Sequence, residues 1–356
     1  MISWEYLVRV FKYVHVIARK NDSNTLYELY RLILYKIKTG HGIDMYQLYS
    51  LDKKNISDWV SFIGKREMSQ ALHKVNNQAS FYLLDDKVEF YIKCKQNCLS
   101  AVNVLYTIHA NRNYDGLKNI SSYRDLECTL MSSDSEEFVI KPVKGSYGDD
   151  IYSIKRNKNI FIDLKSGKYI SLYDVYKAIV DFNKPFMVQN LVCPHHKLQS
   201  IMPYPACGIF RLVSYYSFNN ECKLLYMFVT IPVKGQIISN FKHGQTGNLL
   251  LGVDMDTGSM TYAYGFNMNN VIAKFKNHPD SHVPFESVEI PYWDEMHSLV
   301  LNASFLFKET RFVGWDIAIT NDGPILLEGN PMCDPDGIQM TLQKGIKQDL
   351  YALIDT

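Results

Sequence analysis

The chain has almost no charge imbalance. Lys and Arg number 38 and Asp and Glu 37, a formal net charge of +1 over 356 residues. Binding polyanions through bulk charge is therefore excluded, because such domains are strongly basic, and no nucleic-acid partner is expected. Cysteine is sparse: Cys94, Cys98, Cys128, Cys193, Cys207, Cys222 and Cys333, with no CxxC pair. An odd count in a long chain argues against a disulfide framework, and a reducing cytoplasm is the default. Cys94 and Cys98 would share a helix face, but a zinc site needs two further ligands and none lies nearby. Glu5, Arg9 and Lys12 interrupt any signal-peptide core. No window of about 18 uninterrupted apolar residues exists, so no membrane span is expected. The P-loop pattern GxxxxGK[ST] and the nucleophile elbow GxSxG are both missing, and there is no internal repeat.

What is present is enough apolar residue, 47%, to build a large core, which argues against disorder. The length fits about two to three domains at ~100–200 residues each. Residues 1–38 read as two amphipathic helices. Leu7, Val10, Phe11, Val14 and Ile17 mark the first, and Leu26, Leu29, Tyr30, Ile33, Leu34 and Ile37 the second. The intervening Asn21-Asp22-Ser23-Asn24 suits an N-cap. Arg9, Lys12, Arg19, Lys20, Arg31, Lys36 and Lys38 outweigh Glu5, Asp22 and Glu28. Docking on the protein's own body is the preferred reading. Weak contact of residues 1–38 with an anionic membrane surface, at the inner face of the membrane, is the alternative. Residues 41–80 read as helical and irregular, and a helix is expected at about Asp86–Leu99. Polar residues 121–137 read as a surface loop.

Phe138–Pro142 is a short β-rich run, followed by Gly145-Ser146-Tyr147-Gly148 and a second β run at Ile151–Ile154. A glycine hairpin lets backbone N–H groups approach an anion, and Lys141 supplies a charge for phosphate. An ordinary structural hairpin is the competing reading. Pro185–Val192 reads as an apolar strand. The adjacent His195 and His196 should point to opposite sides of an extended chain, so a joint metal site is not expected. Arg211 stands inside the strand Gly208–Tyr216 and needs an anion, either a phosphate or a buried carboxylate. A strand at Leu224–Pro232 precedes a polar loop at Phe241–Asn248. A β-hairpin follows at Leu249–Tyr264, then a helix at about Asp294–Lys308 with Met296, Val300, Ala303 and Phe307 on one face.

Phe312–Ile319 is a buried-type strand carrying Asp316. After the Asn321-Asp322-Gly323 turn, Ile325–Pro331 returns with Glu328 and Asn330. Neighbouring strands would bring Asp316 beside Glu328, and Asn330 shares the Glu328 face. Two carboxylates and an amide oxygen form a hard oxygen set suited to Mg²⁺ on nucleotide phosphates. A structural ion pair is the less favoured reading.

A strand lysine, a glycine hairpin, a strand arginine and then Asp…Glu-x-Asn together resemble the ATP-grasp superfamily. The run from Val313-Gly314-Trp315-Asp316 through Leu327-Glu328-Gly329-Asn330-Pro331 is similar to its sugar-transfer-associated branch, found with cell-surface polysaccharide biosynthesis. The resemblance covers about residues 80–356. It implies an α+β, ATP-grasp fold of two lobes with antiparallel sheets clasping ATP. Expected boundaries are a helical region 1–80, a lobe 81–185 with the glycine lid, and a lobe 186–356 with the metal site. By motif position, Lys87 and Lys141 would contact phosphates, and Gly145, Ser146 and Gly148 would form a lid. Gln189, Asn190 and Leu191 would line the adenine edge, Arg211 would hold the γ-phosphate, and Asn248 would sit by the phosphates. Asp316, Glu328 and Asn330 would hold one or two Mg²⁺ ions.

The implied activity is an ATP-dependent carboxylate–amine ligase working through an acyl phosphate on small-molecule substrates. A sugar acid joined to an amino acid is the implied pairing. Alternatives are a phosphotransferase on the same scaffold, or a non-catalytic nucleotide- or glycan-binding module. Acceptor-pocket candidates are His195, His196, Lys242, His243, Asp334 and Asp336.

Overall fold

The computed structural model describes residues 4–145, 150–233, 235–237, 240–267 and 271–354. The helices are α1 (Trp4–Lys20), α2 (Thr25–Thr39), α3 (Ile43–Leu48), α4 (Lys65–Val75), α5 (Tyr82–Asp85), α6 (Lys87–Gln96), α7 (Tyr123–Met131), α8 (Leu172–Asp181), α9 (Trp293–Leu306), α10 (Pro335–Leu342) and α11 (Lys347–Ile354). The strands are β1 (Val104–Ile108), β2 (Lys118–Ile120), β3 (Glu137–Pro142), β4 (Tyr152–Asn157), β5 (Ile160–Asp163), β6 (Lys168–Ile170) and β7 (Phe186–Asn190), then β8 (Ile209–Tyr216), β9 (Cys222–Ile231), β10 (Leu249–Val253), β11 (Met260–Phe266), β12 (Ile272–Phe275), β13 (Phe312–Thr320) and β14 (Gly323–Asn330).

Strands β1–β7 form one sheet in the order β2-β1-β7-β3-β4-β5-β6, and β8–β14 a second in the order β12-β11-β10-β9-β8-β13-β14. All pairings are antiparallel except β1 with β2. Two largely antiparallel sheets with packed helices make the α+β architecture that the resemblance implies. The strand expected to open the second lobe instead sits inside the first sheet, because β7 pairs with both β1 and β3. The sheets are tied where Leu326 of β14 exchanges backbone hydrogen bonds with Ser100 and Val102. A second tie runs from the His195 N–H to the Ile319 carbonyl.

Alternation explains which face of each strand is buried. In β3, Phe138 and Ile140 enter a core with Leu126, Leu130 and Ile179 from α7 and α8, which leaves Glu137, Val139 and Lys141 on the other face. The segment expected to be a polar loop at 121–137 contains α7. Ser122 caps it by accepting from the Asp125 N–H, and Leu126 and Leu130 bury a narrow stripe that the surrounding polar residues mask. In β13, Trp315 is fully buried against Phe90 and Phe307, and its indole donates to Ser214 Oγ at 2.8 Å.

The first 80 residues are not a separate layer. Tyr13, Val14 and Ile17 of α1, Leu32 and Tyr35 of α2, and Met68 and Leu72 of α4 share one core with Val213, Phe228, Leu250 and Ile338. The two expected amphipathic helices form as read, with Asn24 capping α2. Their docking face is the one holding Tyr13, Ile17, Leu32 and Tyr35.

Asn76, just beyond α4, fastens this helical region to the strands. Its amide donates to the Phe312 and Pro331 carbonyls at 2.9 and 2.7 Å and accepts from the Phe312 N–H at 2.8 Å. The residue is buried, so truncation leaves three backbone groups unpaired in a dry site. Asn76→Ala is expected to destabilise folding by about 2–4 kcal/mol. Urea unfolding measures this, and a loss under about 0.5 kcal/mol would contradict the clamp.

Candidate active site

The β13–β14 register places Asp316 directly opposite Glu328, and a bulge follows between Asp316 and Ile317. On its other side Asp316 is opposite Arg211 of β8. Arg211, Asp316 and Glu328 therefore form one cross-strand row. The Arg211 guanidinium donates from Nε and one terminal nitrogen to the two Asp316 oxygens, both at 2.6 Å. This fork-to-carboxylate pair is the strong, oriented kind. Gly314, two residues earlier on the same face, admits Cys333: a Cβ there would meet its Sγ at 2.8 Å.

Two lysines approach this row, one from α6 and one from β3 of the first sheet. Asp86 caps α6 by accepting from the Val88 and Glu89 N–H groups, which fixes Lys87 at the first turn. Lys87 Nζ lies 3.4 Å from Glu328 Oε2 and donates to the Gly145 carbonyl at 2.8 Å. Lys141 stands on the open face of β3. Burial opposes ionisation of Glu328, yet Lys87, Lys141 and Arg211 together hold its carboxyl below the ordinary range. Burial raises Asp316 despite Arg211. Lys141 is pushed down to about 8, by burial first and by Lys87 second.

These groups line one cavity of about 530 Å³ between the lobes. It collects Lys87, Lys141, Gly145, Arg211, Asp316, Glu328 and Asn330, and also Lys242, Asp334 and Asp336. Two further lining residues have no mark in the sequence, Lys65 and Asn240. Lys65 pairs with Asp334 and, at 3.3 Å, with Asp336. Burial lowers the Lys65 ammonium, and Asp336 and Asp334 overcome that and hold it above its ordinary value. Tyr49 also donates to Asp336, at 2.7 Å. Lys65 and Asp336 border a second cavity of about 520 Å³ that also contains His41, Asp44, Arg66 and Glu67.

Several expected site residues lie elsewhere. Asn248 is fully buried, with its amide holding the Val233 N–H and the Asn240 carbonyl, and it does not line the cavity. His195 and His196 do not line it either. The chain turns there instead of extending, bringing the rings to 4.1 Å, and His196 contacts Asn321 at the β13–β14 turn. Ser146, Gly148 and the His243 side chain fall outside what is described. Gln189 lies opposite Val139 in the register, on the same sheet face as Lys141. Gln189 Oε1 and the neighbouring Asn190 Oδ1 are buried without a hydrogen-bond partner among the described residues. Gln189, Asn190 and Leu191 are not among the residues lining the cavity, and as strand neighbours Gln189 and Asn190 face opposite ways, so the orphan acceptor on the Lys141 face is that of Gln189.

The acidic side fits a divalent cation. Glu328 is held ionised, and Asn330 donates its Nδ2 to the Gly314 carbonyl at 3.3 Å, which leaves its oxygen as an acceptor. Each Asp316 oxygen keeps a second lone pair beyond its bond to Arg211. Among the described residues no group of three His, Cys, Asp or Glu side chains forms a metal cluster. Such an ion would therefore rest on this mixed set with ligand oxygens completing its shell.

Residues 67–354 match the family described as sugar-transfer associated ATP-grasp. The chain belongs to that family. No curated protein matches it. Among solved structures, similar ones include D-alanine–D-alanine ligase from Bacillus anthracis, with 11% identity over 79% of this chain and 69% of that one and a TM-score of 0.43. Another is N5-carboxyaminoimidazole synthetase from Staphylococcus aureus complexed with ADP, with 11% identity, coverage of 83% and 58%, and a TM-score of 0.42. Biotin carboxylase from Campylobacter jejuni gives 6%, 80% and 49%, and a TM-score of 0.46. Of the last two structures the chain spans less than two thirds.

Lys87→Met removes the like charge beside Lys141 and should raise the Lys141 pKa above about 8. NMR titration of ¹³C-methylated lysines reads the shift directly. An unchanged midpoint would contradict the proximity of the two amines.

Proposed function

We propose that this ATP-grasp protein is an ATP-dependent carboxylate–amine ligase whose carboxylate substrate is a sugar acid. The observation that carries the reading is the row Arg211–Asp316–Glu328 facing Lys87 and Lys141 across the cavity. It offers cations for phosphate oxygens and oxygen ligands for a metal within one enclosed space. Mg²⁺, when bound, supplies charge neutralisation at the phosphates. Glu328, Asn330 and Asp316 would hold one or two ions.

The protein's own work is positioning and electrostatics. Lys87 and Lys141 would bind the nucleotide phosphates, with Gln189, on the Lys141 face of its sheet, toward the base. Arg211, oriented by Asp316, would face the transferring phosphoryl group. A substrate carboxylate oxygen attacks the γ-phosphorus as the bond to ADP breaks. The amine nitrogen then attacks the acyl carbon, phosphate leaves, and the amine loses a proton. No side-chain nucleophile is needed. The Cys333 thiol on the cavity wall is pushed up to about 12 by burial, so it is protonated and unreactive at neutral pH. Lys65, Lys242, Asp334 and Asp336 line the part of the cavity left for the acceptor substrates.

Purified protein with ATP, Mg²⁺ and a panel of sugar acids against amino acids should release ADP and yield an amide by mass spectrometry. A stable phosphorylated product would assign a phosphotransferase instead, and nucleotide binding without ADP release a binding module. Glu328→Gln should lower kcat by about 10²–10³. ATP affinity should fall as pH rises through about 8, because Lys141 loses its proton there, while Lys141→Arg should flatten that dependence. Calorimetric titration across the range checks it, and wild-type affinity that stays flat contradicts a phosphate role for Lys141.

A further inference from the structure

Helix α2 docks by one face and leaves the other bare, and the first half of α1 is uncovered beside it. Trp4, Leu7 and Phe11 continue the line of Val14 and Ala18 along α1 but lie beyond its docked half, with exposures of 77%, 46% and 60%. Leu26, Tyr30, Ile33 and Ile37 recur along the outer side of α2, opposite Leu32 and Tyr35, with exposures of 73%, 58%, 51% and 75%. Spacings of three and four residues align each set into a continuous stripe. The two helices pack against each other. Such a run of large side chains in water is costly unless something covers it.

Charge identifies the cover. Seven cations and three anions fall within residues 4–39, a net of +4 in a chain whose total is +1. Of these charges Glu28 is buried and accepts from Ser23, Arg31 donates to the Leu51 and Lys54 carbonyls, Lys20 donates to the Ile272 carbonyl and Arg9 pairs with Asp44. Lys12 and Arg19 flank the α1 stripe, and Lys36 and Lys38 flank the α2 stripe on its two sides; all four are exposed. An apolar stripe edged by cations, with Trp4 and Tyr30 at its surface, matches the interface of an anionic bilayer. Two such surfaces from copies of this chain would repel each other. Among the described residues no helix is long and apolar enough to cross a membrane, so the association is peripheral.

We infer that the outer face of the α1–α2 hairpin docks on an anionic lipid surface. The apolar stripe would sink about 5–10 Å into the headgroup boundary while Lys12, Arg19, Lys36 and Lys38 meet lipid phosphates. This inference is independent of the ligase reading, since its test reads partitioning and not turnover.

The test is sedimentation of the full chain with phosphatidylglycerol-containing vesicles against pure phosphatidylcholine vesicles. Expected results are binding to the anionic vesicles, loss of binding as salt rises, and a partition coefficient about tenfold lower or more for Phe11→Glu/Ile33→Glu. Phe305→Glu, on the exposed face of α9, should bind like wild type. Both altered positions are exposed, and an unchanged melting temperature verifies that the variants are folded. A wild-type chain that stays in the supernatant overturns the inference. So does equal, salt-independent binding to neutral vesicles, or sedimentation-velocity evidence that the stripe forms a dimer while vesicles are ignored.

Discussion

The bidentate bond between Arg211 and Asp316 is the interaction on which the site depends. Asp316 sits in a strand buried along almost its whole length, where an unpaired carboxylate would be expensive. Arg211 removes that cost from one side. Glu328, the next residue in the row, brings a second negative charge, which Lys87 of α6 and Lys141 of β3 answer. Opposite charges thus meet within one cavity. The near-neutral total of the sequence conceals this local arrangement: five cations, Lys65, Lys87, Lys141, Arg211 and Lys242, share the cavity wall with five carboxylates, Asp85, Asp316, Glu328, Asp334 and Asp336. Such an arrangement is preorganised for a ligand that itself carries both signs, a polyphosphate with its cation.

Trp315 and Asp316 show how packing aims the chemistry. Adjacent residues in a strand face opposite ways. With Trp315 locked between Phe90, Phe307 and the Ser214 hydroxyl, Asp316 has only the cavity side. The helical first 80 residues extend the same logic. They share a core with the second sheet, Asn76 ties them to β13 and β14, and Lys65 from α4 reaches Asp334 and Asp336 at the cavity. A segment that begins before the family match therefore supplies part of the site wall.

How much of this was legible in the sequence follows from how local each signal is. Asp316, Glu328 and Asn330 could be found because a strand, a tight turn and a strand fix their mutual placement within 15 residues. Lys141 and Arg211 were visible as charges inside apolar strands. Lys65 was not, because its partners lie nearly the whole chain away and nothing around it marks a site. Asn248 was placed by the phosphates by motif position alone, and its buried amide holds the Val233 N–H and the Asn240 carbonyl. The β7 strand could be recognised, but its sheet could not, since pairing with β1 and β3 is set by topology. His195 and His196 were misjudged because a turn after β7 replaces the extended chain that would have separated them. The stripes on α1 and α2 carry more apolar positions than docking uses, and periodicity alone does not say which side the protein keeps.

The central claim is that Glu328, Asn330 and Asp316 take a metal together with nucleotide, and not before it, while Arg211 occupies Asp316. Electron paramagnetic resonance of Mn²⁺ added to the protein, with and without a non-hydrolysable ATP analogue, tests it most directly. Weak Mn²⁺ binding alone that tightens by about tenfold or more with the analogue is the predicted result. Equal Mn²⁺ affinity in the two conditions, or no bound Mn²⁺ with the analogue present, would contradict the account.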